Sequence, residues 1–129
     1  MRVDIGAGEW ISTKWFKEEP FFDNQHFIPF QESLEFIPDP FKLEFEDISA
    51  LKKRVTEFSN TLKSIIGKKE ASAVIVVTHG FGIQICSAKF DPQASIFDCP
   101  HTSITQFSLK EGKWSTDKIM STQHLLNIF

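Results

Sequence analysis

A chain of 129 residues is long enough for one domain, and with 41% hydrophobic and 24% charged residues it has the composition of a folded globular protein, not a disordered one. Its net charge of −3 leaves no electrostatic footprint for nucleic acid, and its two cysteines, Cys86 and Cys99, make neither a disulfide framework nor a CxxC pair. The opening run MRVDIGAGEWISTKW lacks the apolar core of a signal peptide, and the longest strongly apolar run, Ala73–Val77, is too short to cross a bilayer, so a cytoplasmic protein with no membrane partner is expected.

Val3–Ile5 reads as a short strand, broken by Gly6 and Gly8, with Glu9 and Trp10 in the turn that follows. Apolar residues at 10, 11, 15 and 16 are compatible with one or two helical turns over Glu9–Lys17, ended by Pro20. Residues 18–45 form a Phe/Pro-rich excursion punctuated by Pro20, Pro29, Pro38 and Pro40, with Phe21, Phe22, Phe27, Phe30, Phe36 and Phe41 among them. A linker is polar, so this stretch is expected to be a loop insertion packed on the domain, either a cap or a segment with no role in chemistry.

Ile48–Ile66 carries the clearest periodicity. Ile48, Leu51, Val55, Phe58, Leu62, Ile65 and Ile66 make one apolar stripe, with Asp47 as N-cap and Gly67 as the stop. Ala73–Val77 is apolar throughout and β-branched over Val74–Val77, the pattern of a strand covered on both faces of a parallel sheet. Gly80–Lys89 then reads as a helix with Ile83, Ile85 and Cys86 inward, closed by Asp91-Pro92. Ser103–Leu109 alternates, Glu111-Gly112 signals a turn, and Lys113–Ile119 is the partner strand of a hairpin. The apolar tail Leu125–Phe129 is expected to pack down. This order predicts an α/β domain over residues 1–129 with a mostly parallel sheet flanked by helices.

Among residues able to carry chemistry, His79 leads. It lies at the C-terminal end of the predicted buried strand, where open α/β sheets place ligands, and Gly80 and Gly82 allow a sharp bend into a helix whose first amides form an anion site. An imidazole there can donate to a phosphate or move a proton, but the position also suits a histidine that caps the helix. Glu9, beside Trp10, has the surroundings of a general acid, or of an exposed turn glutamate. Arg54, one residue before Val55 of the stripe, either reaches a ligand or snorkels at the helix edge. His26, His101 and His124 have no metal-ligand spacing with each other or with the cysteines. No GxGxxG, Walker, GxSxG or HExxH motif is present, so neither cofactor nor metal is expected.

The run AVIVVTHGFGIQI resembles the second catalytic motif of the histidine phosphatase superfamily, the phosphoglycerate-mutase-like proteins. SALKKRVTEFSNTL (49–62) is similar to the preceding helix, with Arg54 where the family often has arginine. VDIGAGEWISTKW (3–15) looks like the strand and turn carrying its acidic residue, closest to the branch of the suppressor-of-T-cell-receptor-signalling phosphatases. PHTSITQFS (100–108) fits the loop and strand after the second motif.

The resemblance implies a phosphoglycerate-mutase-like fold, catalytic His79 and Glu9, and phosphate binding by His79 and Gly80. His79 would stabilise a transferring phosphoryl group and Glu9 would protonate the leaving group of a phosphate ester or phosphoprotein. It also exposes a departure. The family nucleophile is a histidine in an Arg-His-Gly motif on the first strand, whereas the only His-Gly pair here follows Thr78, and the only arginines are Arg2 and Arg54. Without that motif no phosphohistidine forms, and the neighbouring strand is missing too. The expectation is therefore a phosphatase-type domain inactive alone, which completes its sheet through self-association or a partner. The alternative is a non-catalytic pseudophosphatase or protein-binding module.

Overall fold

The computed structural model describes residues 2–15, 17–18, 35–37, 44–68, 73–94, 96 and 98–126. Its longest element, α1 (Ile48–Gly67), follows the apolar periodicity. The Asp47 carboxylate accepts the Ala50 N–H at 2.8 Å as N-cap, a contact worth ~1 kcal/mol. Leu51, Val55 and Ser59, four residues apart, form the buried line. Ser59 is accommodated there because its hydroxyl donates to the Val55 carbonyl at 2.7 Å. Ile48, at the head of the predicted stripe, is exposed. The helix runs through Gly67 and closes at Lys68, whose N–H bonds to the Ser64 and Ile66 carbonyls.

The second helix, α2 (Gly80–Phe90), buries Gly82, Cys86, Ser87 and Phe90, while Ile83 and Ile85 are only partly covered. Leu51 and Val55 of α1 meet Cys86 and Phe90 of α2 in the central cluster, with Trp10, Leu62, Ile85, Phe107 and Trp114 packed around it. Burial pushes the Cys86 thiol above its ordinary pKa.

Two strand pairs complete the described architecture. The three-residue strands β1 (Arg2–Asp4) and β2 (Glu35–Ile37) pair in parallel, Val3 opposite Phe36. The hairpin of β3 (Ile104–Lys110) and β4 (Lys113–Ser121) pairs Lys110 with Lys113 across the predicted turn. Both turn residues have positive φ, 51° at Glu111 and 77° at Gly112, the handedness that two-residue hairpin turns require. The hairpin docks on the end of α2. Phe90 stacks on Phe107 at 5.1 Å and meets Trp114 edge-on at 4.6 Å, and the Thr116 hydroxyl donates to the Asp91 carboxylate at 2.7 Å.

The predicted mostly parallel, phosphoglycerate-mutase-like sheet flanked by helices is not what forms: the described strands make one short parallel pair and one antiparallel hairpin. Ala73–Val77 belongs to no strand ladder and is exposed, Ile75 at 93% and Val77 at 90%. β-Branched residues favour extended backbone, but burying such a run requires neighbours on both edges and both faces, and the described residues give it no ladder and cover only Val74 and Val76 in part, at 41% and 38% exposure. Two smaller expectations also change. Among the described residues of 9–17 there is one turn, over Thr13–Trp15, with the Trp15 N–H on the Ser12 carbonyl at 3.0 Å, and not a helix. The tail makes a 3-10 turn over Gln123–Leu125 and leaves Leu126 exposed, and residues 127–129 lie outside the described residues. Of the expected 18–45 loop, only residues 18, 35–37, 44 and 45 are described, and 35–37 are the strand β2. No helix among the described residues is long and apolar enough to cross a membrane.

Candidate functional site: a histidine–glutamate pair at the start of α2

Val77 and Thr78 belong to no helix or strand and the helix begins at Gly80, which makes His79 the N-cap of α2. Its φ of −116° and ψ of 169° are ordinary extended values, and its carbonyl accepts the Ile83 N–H at 2.9 Å. Its side chain makes no capping hydrogen bond, so the imidazole is not spent on the helix end. Sequence left open whether His79 caps this helix; as a side chain it does not.

Local packing holds this turn in place. The Thr78 hydroxyl donates to the Ala7 carbonyl at 2.8 Å, tying the approach to α2 to the 3-10 turn at Ile5–Ala7. A Cβ at Gly82 would lie 2.5 Å from that same hydroxyl oxygen, so the close approach requires glycine. A Cβ at Gly80 would meet only Cys99 Cβ at 3.7 Å, an ordinary contact. Of the two glycines, Gly82 is the one sterically required, while Gly80 contributes the first amide of α2.

Glu9 arrives on the turn after the 3-10 segment. His79 Nδ1 lies 3.0 Å from Glu9 Oε2, although 70 residues separate them in the chain. Glu9 Oε1 accepts the Trp10 N–H at 2.8 Å, so both carboxylate oxygens have partners. The two side chains are 53% and 36% exposed, which puts the pair on an open surface. Phe81, in the first turn of α2, packs edge-on against Trp10 at 5.0 Å and stacks on Trp15 at 6.0 Å, fastening the start of the helix to the Glu9 segment.

Arg54 reaches this turn from α1 but neither snorkels nor points to solvent. Its Nη1 donates to the carbonyls of Gly6 and Gly8, its Nη2 to the carbonyl of Glu9, and its Nε to Glu46 Oε2 at 3.0 Å, with Nη2 also on Glu46 Oε1. The main chain of Glu46 is held as well: its N–H donates to the Ile11 carbonyl at 2.8 Å and its carbonyl accepts Trp10 Nε1–H at 2.9 Å. Sequence reading missed both Glu46 and Thr78. Thr78 is signalled only by adjacency to His79, and Glu46 by nothing local, since its role depends on a contact across two helical turns.

The remaining candidates stand apart from the pair. His101 and His124 are exposed, and His26 lies outside the described residues. Among the described residues no group of three or more His, Cys, Asp and Glu is arranged to hold a metal. Two surface depressions lie elsewhere, one along Asp91 and Thr116–Ile119 and one between Lys52, Thr56, Gln84, Ile85, Ala88 and Lys89.

Chemically, a proton on His79 Nδ1 can bridge to the carboxylate and leave Nε2 free for a ligand or a proton transfer. The first amides of α2 lie at the positive end of an eleven-residue helix. No family model matches the chain, and neither a curated protein nor a solved structure is significantly similar to it.

Proposed function

We propose that the His79–Glu9 pair is a phosphate site of the histidine-phosphatase type and takes a phosphate ester or a phosphoprotein. The observation that carries this reading is the 3.0 Å approach of Nδ1 to Oε2 at a helix N-terminus that its own N-cap side chain does not occupy. In this reading His79 Nε2 and the amides of Gly80–Gly82 hold the phosphoryl oxygens, and the Glu9 carboxylate orients the imidazole through Nδ1. The chain has no second His-Gly pair to act as nucleophile, and Arg54 is engaged with the Glu9 turn and Glu46. The site therefore binds without turning over, as a pseudophosphatase does. Two free thiols fit a reducing, cytoplasmic setting.

The test is an amide chemical-shift titration with inorganic phosphate. Weak, millimolar-range binding is expected to shift Gly80, Phe81 and Gly82, and to vanish in His79→Ala. Unmoved amides at saturating phosphate refute the site. Hydrolysis of p-nitrophenyl phosphate that His79→Ala abolishes refutes the inactive assignment.

A second reading, a protein-binding module, is favoured by the exposed Ala73–Val77 run, which belongs to no ladder among the described residues. A strand from another copy or another protein would pair there by backbone hydrogen bonds.

A further inference from the structure

We infer that Arg54, held by Glu46, is a positioning residue that fixes Glu9 against His79, and is not a ligand for the phosphoryl group. The inference rests on the reading of His79 and Glu9 as the site. A guanidinium has five N–H donors in a rigid plane. Here Nε donates to Glu46 Oε2, Nη1 to the Gly6 and Gly8 carbonyls at 3.4 and 3.2 Å, and Nη2 to the Glu9 carbonyl at 3.1 Å and to Glu46 Oε1. All five donors are used inside the protein.

Three of those acceptors are main-chain oxygens of the turn that ends in Glu9, including the carbonyl of Glu9 itself. The guanidinium and the Glu46 carboxylate are only 17% and 12% exposed, so the clamp is shielded from water. With its main chain fixed there, Glu9 needs only its side-chain rotamer to reach Nδ1 of His79. Lysine keeps the charge but has neither the plane nor the donor count, so charge and positioning can be separated.

The experiment follows the imidazole 15N resonances of His79 at a pH where the ring is neutral. The wild type is expected to favour the Nδ1–H tautomer, because that proton faces Glu9. Arg54→Lys is expected to lose the preference as fully as Glu9→Ala does, and the double variant to lose no more. Glu46→Gln, which attacks the clamp from its other end and leaves Arg54 in place, is expected to move the tautomer in the same direction. Leu62→Ala, which loosens the core away from the turn, is expected to lower stability and leave the tautomer alone. A tautomer preference that survives in Arg54→Lys or Glu46→Gln overturns the clamp alone. A wild type without the preference overturns the clamp together with the His79–Glu9 reading.

Discussion

Gly82→Ala gives a change of sign that depends on one hydroxyl. The new methyl would stand 2.5 Å from Thr78 Oγ1 and 3.8 Å from Thr78 Cβ, so only the hydroxyl obstructs it. Turning Thr78 about χ1 clears the methyl and breaks the 2.8 Å bond to the Ala7 carbonyl. Losing that bond costs about 1 kcal/mol, and leaving a part-buried carbonyl unpaired brings the total to about 2–3 kcal/mol. Alanine in place of glycine in a helix returns up to about 1 kcal/mol. The net expectation is destabilisation by about 1–2 kcal/mol. In a Thr78→Ala background the space is already open, and the same Gly82→Ala change is expected to stabilise by about 0.5–1 kcal/mol. Urea denaturation of the four proteins, followed by tryptophan fluorescence, reads the cycle as a coupling energy of about 2 kcal/mol. Equal effects of Gly82→Ala in both backgrounds would refute the steric argument and with it the reason assigned to this glycine.

Two further expectations concern the periphery. The Thr116 hydroxyl, then the Gln93 amide, hold the Asp91 carboxyl below its ordinary pKa. As the pH falls the unfolded chain takes up that proton first, so the tie is present at neutral pH and is lost as acidification passes the folded-state value. Amide shifts of Thr116 against pH should show this loss, and Asp91→Asn should flatten the acid limb; an unchanged limb excludes Asp91 as its source. Ile75→Lys, at a position 93% exposed, is expected to change stability by no more than about 0.5 kcal/mol. It should also reduce self-association in sedimentation, because a charge on an unpaired apolar segment opposes edge pairing. A large drop in melting temperature would mean that the segment is packed.

How much of this could be read from sequence divides by the range of the interactions involved. The α1 stripe and the Glu111-Gly112 turn were readable because both are decided within a few residues. A 3.6-residue period must place Leu51 and Val55 on one face, and two positive-φ residues close a hairpin by their own geometry. Ala73–Val77 shows the limit of that reasoning. Its composition specifies extended backbone, whereas burial is a property of the neighbours, and no local pattern reports whether they are there. Local context also drew attention to His79, Glu9 and Arg54 one at a time, but the relation among them is made by tertiary contacts. Arg54 carries the point furthest. Three of its acceptors are backbone carbonyls, which leave no trace in residue identity, so an arginine in a helix reads the same whether it waits for a ligand or is spent on a turn. The distinction lies in counting donors against acceptors: with the Arg54 donors engaged, an anion bound as proposed would be held by imidazole and amides, which would limit it to weak binding.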